Sequence, residues 1–181
     1  LVHVLGFNAI NEELVNFCKE KDLFLIEDCC ESHGATHNGK KVGTFGDVSN
    51  FSFYFGHHIT TIEGGVVCTD TEIIYDYARL FRSHGMTREA SPTVQKSFET
   101  RFPDLNPLFT FAVPGYNMRN QEMNAILGLS QLKRLDYNKE RRSINFNTWV
   151  DNLDSDKYYV DFDRNGNSNF SLPLILSRPD K

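Results

Sequence analysis

The sequence predicts an α/β domain in which helices pack on the faces of a sheet. Short apolar runs that read as buried strands alternate with stretches of helical spacing, and one long apolar helix follows them. A content of 40% hydrophobic and 13% aromatic residues in 181 gives enough apolar surface to bury a sizeable core, which excludes a disordered chain.

The chain opens on a strand-like phrase, Leu1 to Leu5. Residues 11 to 21 place Leu14, Phe17 and Cys18 at helical spacing behind the capping residue Asn11, and the apolar run Leu23 to Ile26 follows as a strand. Further strands are predicted at Val48 to Phe55 and Gly65 to Thr69, then a helix from Glu72 to Arg82 with Ile73, Ile74, Tyr77, Ala78 and Phe81 on its apolar side. Residues 86 to 110 carry Pro92, Pro103 and Pro107 and read as a long irregular loop, a class that is usually functional. From Asn120 a strong helical pattern runs through Met123, Ile126, Leu127, Leu129, Leu132 and Leu135, and Lys139 to Arg142 continue it as helix or hinge. Tyr158 to Phe162 and Phe170 to Leu176 read as strands joined by a turn at Asn165 to Asn169. No internal repeat is visible.

A net charge of -5 gives no basic footprint for nucleic acid, and no eighteen-residue apolar run offers a membrane span. The expectation is a soluble protein without nucleic-acid or membrane partners. Cys18, Cys29, Cys30 and Cys68 lack the paired spacing of a disulfide framework, which points to reduced thiols and a cytoplasmic setting. His33, His37, His57, His58, Cys29 and Cys30 invite a metal reading. With no Cys-x-x-Cys or His-x-x-x-His spacing, no metal site is expected.

Two segments carry the chemistry. Asp28 follows an apolar run, where ligands of open α/β sheets bind at the carboxyl ends of strands; its plain alternative is a helix N-cap. The second segment runs from Ser52 through His57 and His58 to Glu63, Gly64 and Gly65, and its glycines permit a tight turn into the next strand. Adjacent histidines in an extended segment point to opposite faces, so one of the pair faces any ligand.

This second segment resembles the active-site run of the DegT/DnrJ/EryC1/StrS sugar aminotransferases, with His57 where the family carries the lysine that holds pyridoxal phosphate. The resemblance implies an aspartate aminotransferase-like (fold type I) transferase fold and a pyridoxal or pyridoxamine 5'-phosphate cofactor. It implies that Asp28 pairs with the pyridine nitrogen, that Glu31 contacts the ring edge and that Ser52 binds the phosphate. Pro114 to Arg119 resembles the family's Gly-Tyr-Asn-x-Arg signature, which implies a homodimer with shared active sites, Asn117 and Arg119 serving the neighbouring one. Arg82 to Arg88 is similar to the Arg-x-His-Gly turn, making His84 and Arg88, with Arg119, candidates for binding substrate.

An imidazole can move protons but cannot form the lysine's covalent link, so the chemistry should change. Within the family this exchange marks 3-dehydratases of nucleotide-linked 4-keto-6-deoxysugars. The phrases Phe55-Gly56-His57-His58, Thr60 to Gly65 and Asp104 to Phe111 resemble the branch acting on GDP-4-keto-6-deoxymannose in dideoxysugar and O-antigen synthesis, with glutamate as amino donor. No cysteine follows Cys68, so an iron-sulfur cluster is unsupported. Two alternatives stay open: an aminotransferase using Lys40 or Lys41, and a non-catalytic relative with a sensory or scaffold role. The resemblance covers part of a longer chain: residues 1–136 as large domain without its N-terminal segment, and 137–181 as connecting helix and start of a truncated small domain, so the piece itself could be inactive.

Overall fold

The computed structural model describes residues 1–178. They form two compact units, one of Leu1–Val66 with the chain from Glu122 onward, the other Val67–Gln121.

In the first unit, α1 (Glu12–Glu20) starts where Asn11 Oδ1 accepts the N–H groups of Glu13 and Leu14 at 2.8 and 3.3 Å, the cap that the sequence predicts. Its inward face is Val15, with Cys18 partly covered, rather than Leu14 and Phe17, which are exposed. The predicted strand at Leu23 to Ile26 is shifted: β1 is Ile26–Asp28. Leu25 lies outside the ladder because its N–H and carbonyl are both taken by Asp47, at 2.7 and 2.9 Å. The shift makes Asp28 the last residue of the strand.

β1 pairs in parallel with β4 (Val48–Ser52), matching Ile26 to Val48, Glu27 to Ser49 and Asp28 to Asn50. The strand expected to reach Phe55 ends at Ser52, since Phe53 turns to donate to the Gly64 carbonyl at 2.8 Å. β5 (Gly65–Cys68), whose first two residues belong to this unit, completes the order β1-β4-β5. Between β1 and β4 lies a hairpin absent from the sequence reading, β2 (Thr36–His37) and β3 (Lys40–Lys41). Its Asn38-Gly39 turn, with φ of 49° and 80°, is a recognised hairpin signal.

The core gathers Ile10, Val15, Cys29, Ala35 and Val42 under Leu1, Leu25, Phe45 and Phe51. The long helical pattern is two helices, α4 (Glu122–Leu132) and α5 (Leu135–Asp151), broken at residues 133 and 134. Phe146 and Val150 of α5 are buried, and Phe146 meets Phe7 and Phe162 edge-on. The two predicted C-terminal strands reduce to one bridge, Tyr158 with Leu176.

The turn predicted at 165–169 is an exposed bend at Asn165 and Gly166, and the chain then runs on as a buried strap. Asn167, Ser168 and Asn169 are 7%, 0% and 3% exposed. Ser168 N–H donates to Gly6 O, Phe170 N–H to Leu5 O, and Thr36 N–H to Gly166 O, each at 2.7–2.9 Å. Gly6 lies at φ 83°, and a Cβ there would fall 1.9 Å from the Ser168 carbonyl oxygen, so the strap needs this glycine.

In the second unit α2 (Glu72–Arg82) matches its predicted range but not its predicted face: Asp76 and Leu80 are buried, while Ile73, Tyr77 and Phe81 are open. Asp76 accepts both the N–H and the hydroxyl of Ser91, at 2.6 and 2.8 Å. The stretch expected to be irregular contains α3 (Pro92–Arg101), opened by Ser91 and by proline at its first helical position, a start signal that the weak apolar pattern hides.

Candidate active site

Asp28 ends β1 opposite Asn50 in the middle of β4, and this register puts their side chains together. Asp28 Oδ1 accepts from Asn50 Nδ2 at 3.0 Å and from the Cys30 N–H at 3.1 Å. Burial opposes ionisation, but the bonds from Cys30 and Asn50 outweigh it and hold the carboxyl below the usual range. The anion borders a cavity of about 300 Å³ lined by Val2, His3, Val4, Asp28, Cys30 and Glu31. Glu31 has a second task, since its Oε2 accepts the Leu5 N–H at 2.7 Å. A buried-edge carboxylate at a strand end beside a cavity suits a protonated ring nitrogen, so these residues fit a pyridoxal cofactor.

Behind this edge Glu27 is fully buried. Its oxygens accept the N–H groups of Gly43, Phe45 and Gly46 at 2.6–2.7 Å and meet His3 Nε2 at 3.3 Å. His3 Nδ1 accepts the Ala9 N–H, so Nε2 carries the ring proton and donates to Glu27. Burial opposes the charge on Glu27, but His3 and the three backbone donors bring its pKa down to about 2. His3, Glu27 and Cys29 place potential ligand atoms within 4.8 Å of one another. The hydrogen bonds occupy the carboxylate, and burial with the nearby Glu27 charge pushes the Cys29 thiol up to about 12, so the cluster's chemistry is structural.

Ser52 closes β4, and its Oγ accepts the Tyr54 N–H at 3.2 Å. The loop that follows is tied at several points: Thr61 N–H donates to Phe53 O, and Thr60 exchanges two hydrogen bonds with Gln131 of α4, at 3.1 and 2.8 Å. His57 sits in this loop. Tyr54 and Phe170 meet its ring edge-on at centroid distances of 5.6 and 5.5 Å. Its Nδ1 is buried without a partner, so Nε2 is the nitrogen left to meet a ligand.

His58 turns inward, 6% exposed, and Nε2 donates to the Ser168 carbonyl at 2.9 Å. His33, 4% exposed, packs against Phe51, Phe53, His57 and His58, and neither of its ring nitrogens is paired. Burial pushes His33 down to about 4, with the neighbouring His58 and His57 adding to it and the Ser52 backbone opposing. Burial likewise pushes His58 to about 4, helped by the Arg142 cation and opposed by the Ser168 backbone.

The other sequence-predicted residues lie in the second unit. His84, at φ 60°, donates its backbone N–H to Tyr116 O at 2.6 Å and lines an open depression with residues 111–115. Asn117 pairs with Ser83 across an antiparallel bridge. Arg119 Nε donates to Asn117 Oδ1 at 3.4 Å, and both side chains are exposed. Arg88 is engaged locally: it donates to Leu108 O at 3.2 Å and lies 3.9 Å from Glu89. The structure thus groups Asp28, Glu31, Ser52 and His57 in one unit and His84, Arg88, Asn117 and Arg119 in the other.

Sequence reading missed Asn50, Phe170 and the packing of His33. Asn50 could have been found from the parallel register with Asp28. Phe170 follows His57 by 113 positions, and no local pattern signals the contact.

Among the described residues no helix is long and apolar enough to cross a membrane. A GDP-4-keto-6-deoxy-D-mannose 3-dehydratase of Yersinia pseudotuberculosis is 36% identical over 176 residues, which cover 97% of this chain and 45% of that protein. A UDP-4-amino-4,6-dideoxy-N-acetyl-beta-L-altrosamine transaminase of Campylobacter jejuni is 30% identical over 97% of this chain and 44% of its own length. The chain therefore spans about half the length of the curated relatives it matches. Among solved structures, the E. coli GDP-4-keto-6-deoxy-D-mannose 3-dehydratase with bound hydrated pyridoxal phosphate superposes with a TM-score of 0.81 at 34% identity, covering 99% of this chain and 46% of that one. The mixed α/β fold is that of pyridoxal-phosphate enzymes, and the cofactor of such relatives is pyridoxal phosphate or its pyridoxamine form. Residues 1–179 match the family as a whole, and the chain belongs to the DegT/DnrJ/EryC1/StrS aminotransferase family.

Proposed function

We propose that this chain is the cofactor-binding part of a pyridoxamine-phosphate-dependent 3-dehydratase acting on a nucleotide-linked 4-keto-6-deoxyhexose, GDP-4-keto-6-deoxymannose being the best-supported substrate. The observation that carries the reading is His57: an imidazole held by two aromatic edges, with one nitrogen enclosed and the other free, where the family carries its lysine. The run Phe53 to Gly64 contains no lysine.

When bound, the cofactor supplies an electron sink for negative charge at the reacting carbon. Asp28, kept anionic by Asn50 and Cys30, holds the ring nitrogen protonated. The Ser52 hydroxyl donates to a phosphate oxygen, and Glu31 borders the ring while bracing Leu5. His57 Nε2 takes the proton from the reacting carbon and serves the departure of the C3 hydroxyl, as an imidazole can give and take protons near neutral pH. His84, Arg88 and Arg119 serve the nucleotide-sugar, Arg88 by exchanging its contact with Leu108 for substrate oxygens. Asn117 reaches the phosphate of a second subunit in a homodimer, and its open position suits that task. Glutamate restores the amine form. Residues 1–136 belong to the large domain and 137–181 begin the small one, in a cytoplasmic enzyme of lipopolysaccharide sugar synthesis.

The rival reading is amino transfer, the activity named for the Campylobacter relative. It would need Lys40 or Lys41, which sit exposed on the β2-β3 hairpin, with Lys40 Nζ over the Phe45 ring at 4.2 Å. The deciding experiment is His57→Lys in the full-length enzyme. The dehydratase reading expects dehydration to fall by about 10²-fold or more, the scale of a lost general base, and some amino transfer to appear. Unchanged dehydration would refute the role of His57.

A further inference from the structure

Four ring nitrogens in one buried cluster have no hydrogen-bond partner: His57 Nδ1, both nitrogens of His33, and His58 Nδ1. Buried polar groups are nearly always paired, and each orphan costs roughly 1–3 kcal/mol, so four in contact ask for an explanation. They make two donor–acceptor pairs. One observed bond fixes the direction: His58 Nε2 donates to the Ser168 carbonyl at 2.9 Å, so a neutral His58 offers a lone pair at Nδ1. A neutral His33 has one N–H and one lone pair. If its N–H serves His58, its lone pair is left for His57 Nδ1–H.

We propose that His33 is a positioning residue that sets the tautomer of His57: His57 Nδ1–H donates to His33, whose own N–H donates to His58 Nδ1, and the lone pair of His57 is thereby placed on Nε2. The ring centroids stand 6.4 Å apart for His33 and His57 and 5.6 Å for His33 and His58. A direct N–H···N bond puts imidazole centroids at about 5 Å, so ring movements of roughly 1.4 Å for His33 and His57 and roughly 0.6 Å for His33 and His58 close the two pairs. Burial keeps His33 and His58 neutral, and the Arg142 guanidinium, which donates to Asn169 O and Phe170 O, further disfavours a cation at His58. The Ser52 backbone competes with His58 Nδ1 for the one N–H of His33; whichever takes it, the His33 lone pair is left for His57 Nδ1–H, the link that sets the tautomer of His57. The consequence is chemical: a base acting through Nε2 needs its ring proton on Nδ1, and without a partner that proton has no reason to stay there.

This inference rests on His57 as the proton carrier, and its test needs no turnover, so the two fail separately. The chain is labelled with ¹⁵N-histidine, and long-range ¹H–¹⁵N correlations read the tautomer of each ring. In the parent, His57 is expected mainly as the Nδ1–H form and His58 as Nε2–H. In His33→Phe the Nδ1–H form of His57 falls from the major to the minor species, while His33→Gln, which carries both a donor and an acceptor, retains it. A His57 that is Nε2–H in the parent, or that keeps Nδ1–H in His33→Phe, overturns the proposal. The parent spectrum and His33→Gln decide the matter alone if the phenylalanine variant fails to fold.

Discussion

Glu27 and His33 are almost equally buried, 0% and 4% exposed, yet every acceptor of one is met and neither nitrogen of the other is. Both lie in the same unit, Glu27 within β1 and His33 five residues beyond its carboxyl end. Glu27 is a charge that the fold has finished with: three backbone amides and His3 fix it, and its protonation does not change near neutral pH. His33 is packed but left unspent beside the residue proposed to move protons. Complete pairing marks architecture; incomplete pairing in a buried cluster marks a place where structure has been traded for chemistry.

The contrast can be tested, and the largest effect should come from Glu27. Glu27→Leu strands three buried N–H groups and should cost on the order of 3–5 kcal/mol, read as a drop in the urea midpoint. A loss below about 1 kcal/mol would mean that the amides find other partners and the contrast is false.

Acid should then remove the two contributions to stability in order. The folded pKa values of His33 and His58, about 4, lie below the usual 6.5, so the unfolded state binds more protons between those values. Stability is complete above pH 6.5 and falls as pH drops toward 4, by on the order of 3 kcal/mol for each histidine. The contribution of Glu27, depressed from 4.5 to about 2, is complete above pH 4.5 and is lost only as pH falls toward 2. Urea midpoints at half-unit steps of pH would show the histidine slope first. A flat profile from pH 7 to 4.5 would contradict it.

The smallest effect belongs to His33→Phe. It keeps a ring and gives up only the two His33 bonds proposed above, so stability should fall by on the order of 1 kcal/mol and the slope between pH 6.5 and 4 should shrink. A loss as large as that of Glu27→Leu would place His33 with the architecture instead.

These differences were only partly legible in the sequence. The Asn11 cap and the range of α2 follow local rules, so they could be read from residue order, while the Ser52 to Gly65 segment was legible through its resemblance to a family motif. Helix α3 was hidden because few of its residues are apolar and its start depends on Ser91 reaching Asp76 of another helix. The faces of α1 and α2 differ from the apolar stripe because Val15 and Leu80 are buried while Phe17 and Ile73 are left open. At the site, Asp28 was found from its place after an apolar run, but its partner Asn50 depended on strand register. Phe170 and the strap that carries it come from far along the chain, and only the fold brings them against His57.

The central claim is that His57 moves protons at the position where the family resemblance implies a cofactor-holding lysine. The most direct measurement is borohydride reduction after incubation with pyridoxal phosphate, followed by intact mass and by dialysis for reversible binding. The account predicts cofactor that is retained without a stoichiometric covalent adduct in the parent, and an adduct at position 57 in His57→Lys. A stoichiometric adduct on a single lysine of the parent, such as Lys40 or Lys41, would contradict it and favour amino transfer.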